Sequence, residues 1–217
     1  MSKLRSHPGR SAAEFLPDAT SVSALRRAAV DCRGCDLYLR ATQTVFGEGA
    51  TRAALMLVGE QPGDLEDRAG HPFVGPAGNL LNRALAEAHI ARDEIYVTNA
   101  VKHFKWDAQG KRRKHKRPSS AEVAACRPWL TAEIQAVHPR IVVCLGVIAA
   151  QSILERTVRL TAEGGKFHDS QLGILIFLTM HPASVLRQPD EKERDAQFLR
   201  LVHDFKLVRQ KLLSLHP

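Results

Sequence analysis

The sequence predicts an α/β domain: a three-layer α/β/α sandwich around a central, mostly parallel, four-stranded sheet. Three observations carry that expectation. Four short apolar runs, 53–58, 95–98, 141–145 and 174–179, are continuous rather than alternating, as strands covered on both faces must be. Segments of helical periodicity separate them. The 217 residues are 44% hydrophobic and 25% charged, which suits one globular domain with a sizeable core.

The elements follow in order. Residues 1–20 are polar, carry Pro8, Gly9 and Pro17, and predict a flexible tail ahead of a single domain over 21–217. The first apolar run ends at Gly59. Leu80, Leu81, Ala84, Leu85 and Ala88 then recur at helical spacing. After the second run comes a basic loop over about 105–118. Ser119 and Glu122 stand at capping-box spacing and open a helix that Pro128 should kink, with Leu130, Ile134 and Val137 on its apolar face. The third run ends at Gly146 and leads into a helix over 149–154. The fourth precedes a long amphipathic helix over 191–213. There is no internal repeat and no long linker.

Several classes are excluded or made unattractive. The longest strongly apolar stretch, 141–150, contains Gly146 and is too short to span a bilayer, so no membrane association is expected. Residues 1–8 lack the apolar segment of a signal peptide, which predicts a cytoplasmic location. Four cysteines are too few for a disulfide scaffold. Nothing suggests more than a monomer.

The net charge is +8, and most of it is local. Between Lys102 and Arg117 stand eight Lys or Arg and one Asp, leaving the rest of the chain nearly neutral. Such a block fits a partner charged along a line, nucleic acid first, with a solvated loop as the bland alternative.

In parallel sheets the site lies beyond the carboxyl ends of the strands. Here those ends carry Gly59-Glu60-Gln61-Pro62-Gly63, Asn99, Gly146 and His181-Pro182. Phe73 lies in a Gly/Pro-rich segment over 70–78. Together an aromatic face, an amide, a carboxylate and an imidazole make a pocket able to hold a flat heterocycle. Any one of them alone is an ordinary loop or core residue.

Five ordered motifs carry a resemblance: Gly-Glu-Gln-Pro-Gly at 59–63, Pro-Phe-Val-Gly-Pro-Ala-Gly at 72–78, Thr-Asn-Ala-Val-Lys-His at 98–103, Lys-Arg-Arg-Lys-His at 111–115 and His-Pro-Ala-Ser at 181–184. Over roughly residues 25–205 the chain resembles the uracil-DNA glycosylase superfamily, in its iron–sulfur branch, and within it the UdgX group. The resemblance implies that Phe73 stacks on a flipped uracil, that Asn99 reads its polar edge, and that His181 stabilises charge on the departing base. It implies a nucleophile at His115, with Glu60 as its acidic partner and Gln61 in support. His115 would bond to C1′ of the abasic sugar and stay there. Gly59, Gly63 and Asp64 would also bind substrate. Lys111, Arg112, Arg113, Lys114, Ser184 and Arg187 would contact DNA. The implied partner is uracil-containing DNA, preferably single-stranded, with free uracil as product. The group's usual apolar residue before the loop histidine is replaced here by Lys114, and Ala183 stands where Ser is usual. The alternatives are a glycosylase that turns over with water, and an iron–sulfur nucleic-acid binding protein without catalysis. The second leaves Glu60, Asn99 and His181 unexplained.

The cysteines support a metal centre. Cys32 and Cys35 form a C-x-x-C pair suited to chelation, whereas Cys144, inside an apolar run, reads as a buried filler. In the related iron–sulfur enzymes a cysteine occupies the place of His103. The resemblance therefore implies a 4Fe–4S cluster held by Cys32, Cys35, His103 and Cys126. The ligand types alone would also admit tetrahedral zinc.

Overall fold

The computed structural model describes residues 10–215. Its helices are α1 (Val22–Ala29), α2 (Asp64–Ala69), α3 (Pro76–Glu87), α4 (Ser120–Val137), α5 (Val147–Leu154), α6 (Leu160–Glu163), α7 (Pro182–Leu186) and α8 (Glu191–Ser214). Its strands are β1 (Glu48–Gly49), β2 (Leu55–Gly59), β3 (Tyr96–Asn99), β4 (Trp106–Gln109), β5 (Arg112–His115), β6 (Ile141–Leu145), β7 (Lys166–Asp169) and β8 (Leu175–Thr179).

The four apolar runs form the parallel centre of the sheet, in the order β3-β2-β6-β8. The sheet itself has six strands, not four, because β1 and β7 add antiparallel edges beside β3 and β8. Those edges left no hydrophobic signal. β1 is two residues long, and Lys166 and Asp169 of β7 face water.

Strand pleating divides the core into two. Met56, Val58, Val142 and Cys144 pack beneath α1, α4 and α5, whereas Leu55, Leu57, Ile141 and Val143 pack against α3, α7 and α8. The result is the α/β/α sandwich the sequence predicts. The capping box at Ser119 and Glu122 forms, with reciprocal bonds of 3.3 and 2.6 Å. Pro128 does not end or restart the helix. α4 runs through it, held by the buried face of Val123, Cys126, Trp129, Leu130 and Ile134, whose packing outweighs the roughly 3 kcal/mol proline costs inside a helix.

Of the expected tail, residues 1–9 lie outside the described residues. Ala12–Phe15 forms a turn of 3-10 helix with Ala12 buried in the core. The basic loop is an antiparallel hairpin, with β4 and β5 pairing Trp106 to His115 and Gln109 to Arg112. Among the described residues, no helix is long and apolar enough to cross a membrane.

Candidate active site

The loops after β2, β3 and β8 meet at one end of the sheet. Two backbone bonds, Ala100 N–H to the Gly59 carbonyl (2.9 Å) and Val101 N–H to the Glu60 carbonyl (3.0 Å), fasten the first loop to the second. Between these loops and the hairpin lies a cleft of about 520 Å³. Glu60, Gln61, Gly63, Phe73, Asn99, Lys114, His115, His181 and Arg187 line it, so all four residues expected to be catalytic share one cavity.

Glycine at 59 is a steric requirement. A Cβ there would lie 2.3 Å from Asn99 Oδ1 and 2.7 Å from Phe73 Cζ, so only a bare backbone lets both side chains approach. Phe73 itself is held at φ 58°, a left-handed conformation unfavourable for an aromatic residue. Its carbonyl occupies the space that a side chain at Gly78 would fill. The Phe73 and His181 rings lie 6.2 Å apart and within 25° of parallel.

The imidazoles are tuned to be neutral. His181 Nδ1 accepts from the Ala183 N–H at 3.1 Å, which leaves the proton of the neutral ring on Nε2. Burial, then Arg187 and His115, push its pKa down to about 4. His115 is also shifted down, by desolvation and by Arg187. Burial raises Glu60 above the usual carboxylate range, against the pull of Arg117 and Arg187.

Gln61 fixes His115. Its Oε1 accepts from the Lys105 N–H (3.2 Å), which orients the amide so that Nε2 donates to the Lys116 carbonyl (2.9 Å) and to His115 Nε2 (2.8 Å). His115 Nε2 is thus the acceptor, and the ring proton sits on Nδ1. One side chain closes the base of the hairpin and orients the histidine at its end.

Three expected contacts are used differently. Arg113 is turned inward onto Asp64 and onto Asp67 (2.6 Å to Oδ2), with Thr42 Oγ1 at 3.0 Å and the Phe104 and Trp106 rings alongside. It docks the hairpin on α2. Asp64 is taken up by Arg113 and Arg68 and does not line the cleft. The Ser184 hydroxyl donates to the His181 carbonyl at 2.7 Å and so supports the histidine loop. Lys111 and Arg112 stay exposed on the hairpin, and Arg187 at the cleft rim.

Lys102, read from the sequence as part of the basic block, is fully buried and paired with buried Glu133. Its Nζ also donates to Thr98 Oγ1 (2.7 Å) and to the Asn99 carbonyl (2.6 Å). Glu133 accepts further bonds from Tyr96 OH, Thr98 Oγ1 and the Gly47 N–H. A signal existed: Glu133 falls on the apolar stripe of its helix with Cys126, Leu130 and Val137. Glu66 was also missed. Its carboxylate accepts from the Gly63 (3.1 Å) and Gly75 (2.8 Å) amides and ties two cleft loops together.

The expected metal ligands sit behind this network. Trp129 Nε1–H donates to Cys32 Sγ (3.1 Å) and the Lys102 N–H to Cys126 Sγ (3.3 Å). Burial pushes Cys35 up to about 11 and Cys126 up to about 12, and Cys32 raises both while Cys35 also acts on Cys126. Cys144 is raised by burial alone. His103 Nε2 meets Thr44 Oγ1 at 2.9 Å, while its Nδ1 is buried with no partner among the described residues. Among the described residues, no group of three or more His, Cys, Asp or Glu is drawn tightly enough for a single metal ion.

Residues 46–206 match the family model of the uracil DNA glycosylase superfamily, and the chain belongs to that superfamily. Within it, the chain is 36% identical to a Type-4 uracil-DNA glycosylase of Pyrobaculum aerophilum, covering 73% of this chain and 81% of that one. It is 34% identical to the Type-4 uracil-DNA glycosylase of Archaeoglobus fulgidus (80% and 87% covered) and 32% identical to that of Sulfurisphaera tokodaii (89% and 86%).

Proposed function

We propose that this protein excises uracil from DNA, single-stranded DNA foremost, and that His115 captures the sugar carbon left behind. The observation that carries the reading is the neutral imidazole of His115, presented by its hairpin into the same cleft as Phe73, Asn99, His181 and Glu60.

Breaking the N-glycosidic bond puts negative charge on the base and oxocarbenium character on C1′. The uracil, turned out of the strand, stacks on Phe73 while the Asn99 amide reads its edge. His181 donates its Nε2–H to the base as the bond electrons depart, and being neutral it does so without trapping the product as an ion pair. Glu60 faces the cationic sugar. His115 Nε2, released from the Gln61 N–H, gives its lone pair to C1′, and the Nδ1 proton then leaves for Glu60 or water. Lys111, Arg112 and Arg187 hold phosphates, which offsets the few kcal/mol of unstacking.

Cys32, Cys35, His103 and Cys126 are the proposed ligands of a 4Fe–4S cluster. The electrostatic influence of Cys32 and Cys35 on Cys126, N–H donors on two of the sulfurs and the unpartnered His103 Nδ1 fit such a group. A cluster binds its ligands on separate irons and does not require them within one coordination sphere. Its contribution is structural: it pins both ends of the segment carrying the hairpin. Cys126→Ser should yield colourless, iron-poor protein and Cys144→Ser brown protein. Iron analysis checks this, and full iron in the Cys126 variant rules the ligand set out.

The deciding experiment for capture is a denaturing gel of protein with a labelled uracil oligonucleotide, beside a thymine control and His115→Ser. Capture gives a heat- and detergent-stable band that requires uracil and is lost in the variant. Abasic DNA with no such band means that water, activated by Glu60, is the nucleophile. The second reading has its own support, because the His115 lone pair is engaged by Gln61 in the free protein.

A further inference from the structure

Lys114 is the only primary amine among the residues lining the cleft. Three cations near it are committed, Lys105 to Glu122, Arg113 to Asp64 and Asp67, and Lys116 to Asp107, while the exposed Lys111 and Arg112 do not line the cleft. Lys114 has no carboxylate partner among the described residues, although Asp107 lies opposite it in the hairpin register, because that carboxylate is shared by Arg40 and Lys116. Lys114 thus lines, beside His115, the cavity where an abasic sugar would be produced, and has no ion pair among the described residues.

The geometry points to a second activity at this site: Lys114 forms an imine with the aldehyde of a ring-opened abasic sugar, and the strand is then nicked by β-elimination. The inference rests on the reading that C1′ of the flipped nucleotide lies in this cleft. The Lys114 amine, having passed one proton to water, adds to C1′ as the carbonyl electrons pass to oxygen; that proton returns as the hydroxyl leaves as water, giving a protonated imine. Glu60, a cleft carboxylate with raised basicity, removes the proton from C2′. The electrons of that C–H bond form the C2′–C3′ double bond, and the C3′–O bond breaks with the 3′ phosphate leaving. Water hydrolyses the imine and returns the amine. No redox partner is needed. Arg187, which lines the same cleft, would receive the departing phosphate.

Both nucleophiles compete for one carbon, but they need different substrates. His115 captures as uracil leaves, whereas Lys114 requires the free aldehyde. The test therefore uses an oligonucleotide with a preformed abasic site, incubated with the full-length protein with and without sodium borohydride. Borohydride reduces an imine to a stable amine, so a reductant-dependent adduct is expected, with its peptide mass at Lys114. Without reductant, a nicked strand ending in the elimination product is expected. Lys114→Arg keeps the positive charge but offers no amine, and should lower both signals by about tenfold or more. An adduct at another lysine, an adduct that survives in Lys114→Arg, no adduct at all, or an uncut strand overturns the proposal. The uracil oligonucleotide without reductant reports on His115 alone, so failure of either activity is seen independently of the other.

Discussion

Gly59 shows how much of the site depends on the absence of one methyl group. Gly59→Ala would drive a Cβ into Asn99 Oδ1 and the Phe73 ring, and Phe73 has little freedom to retreat because Gly78 packs against its carbonyl. Overpacking of this kind costs about 1–3 kcal/mol, and here it displaces both proposed uracil contacts. The variant should melt earlier and lose about tenfold or more in uracil excision at subsaturating DNA. Near-normal kinetics would show that Phe73 and Asn99 do not read the base. His181 gives a pH prediction. Its pKa is about 4 when folded and ordinary, near 6.5, when unfolded, so between these values the unfolded chain binds the extra proton. The stability conferred by the neutral ring is complete above pH 6.5 and is lost as pH falls toward 4. Urea melts at pH 7.5, 6 and 5 should show this slope reduced in His181→Asn. Catalysis should decline at a higher pH than an ordinary carboxylate would dictate, because Glu60 must be ionised and its pKa is raised.

The hairpin is the element on which the two proposed nucleophiles depend, and it carries almost no core of its own. Of its strand residues, Trp106 and Arg113 alone are better than exposed. Docking falls to Gln61 at its base and to Arg113 along its length. Arg113→Ala would leave the fully buried Asp67 with the Thr42 N–H but no cation. We expect a loss of about 2–4 kcal/mol, since unpairing a buried charge costs most of its desolvation. Hydrogen exchange over 106–115 should accelerate while the sheet strands stay protected, and covalent capture should slow more than DNA binding weakens. The sequence showed this segment as a basic loop bearing a family motif but not how it docks, because a guanidinium that grips two carboxylates and one that waits for phosphate have the same letter. The central strands were legible for the opposite reason: burial on both faces writes a continuous apolar run that no loop imitates. The edge strands β1 and β7 have no such requirement, and went unseen.

At the scale of the whole molecule, the proposed metal centre and the candidate active-site cleft meet in one residue. Lys102 presents its backbone N–H to Cys126 Sγ and its ammonium to the Asn99 carbonyl, and Glu133 binds that ammonium to Thr98 and Tyr96 of the adjoining strand. The cleft residues proposed to touch substrate were visible in the sequence, since Asn99 and His181 follow strands and polar residues there attract notice. The residue that holds them was hidden among cations, and only its partner's place on an apolar helix stripe betrayed it. The pair makes a prediction that separates stability from positioning. Lys102→Met alone strands the Glu133 carboxylate in the core and should cost about 3–5 kcal/mol, whereas adding Glu133→Leu removes the orphaned charge and should restore most of it. The double variant still lacks the bond to the Asn99 carbonyl. Its melting temperature should therefore approach that of the parent while its KM for uracil DNA stays raised. Recovery of both together would mean that Lys102 is only a partner for Glu133, and that Asn99 is held by its strand alone.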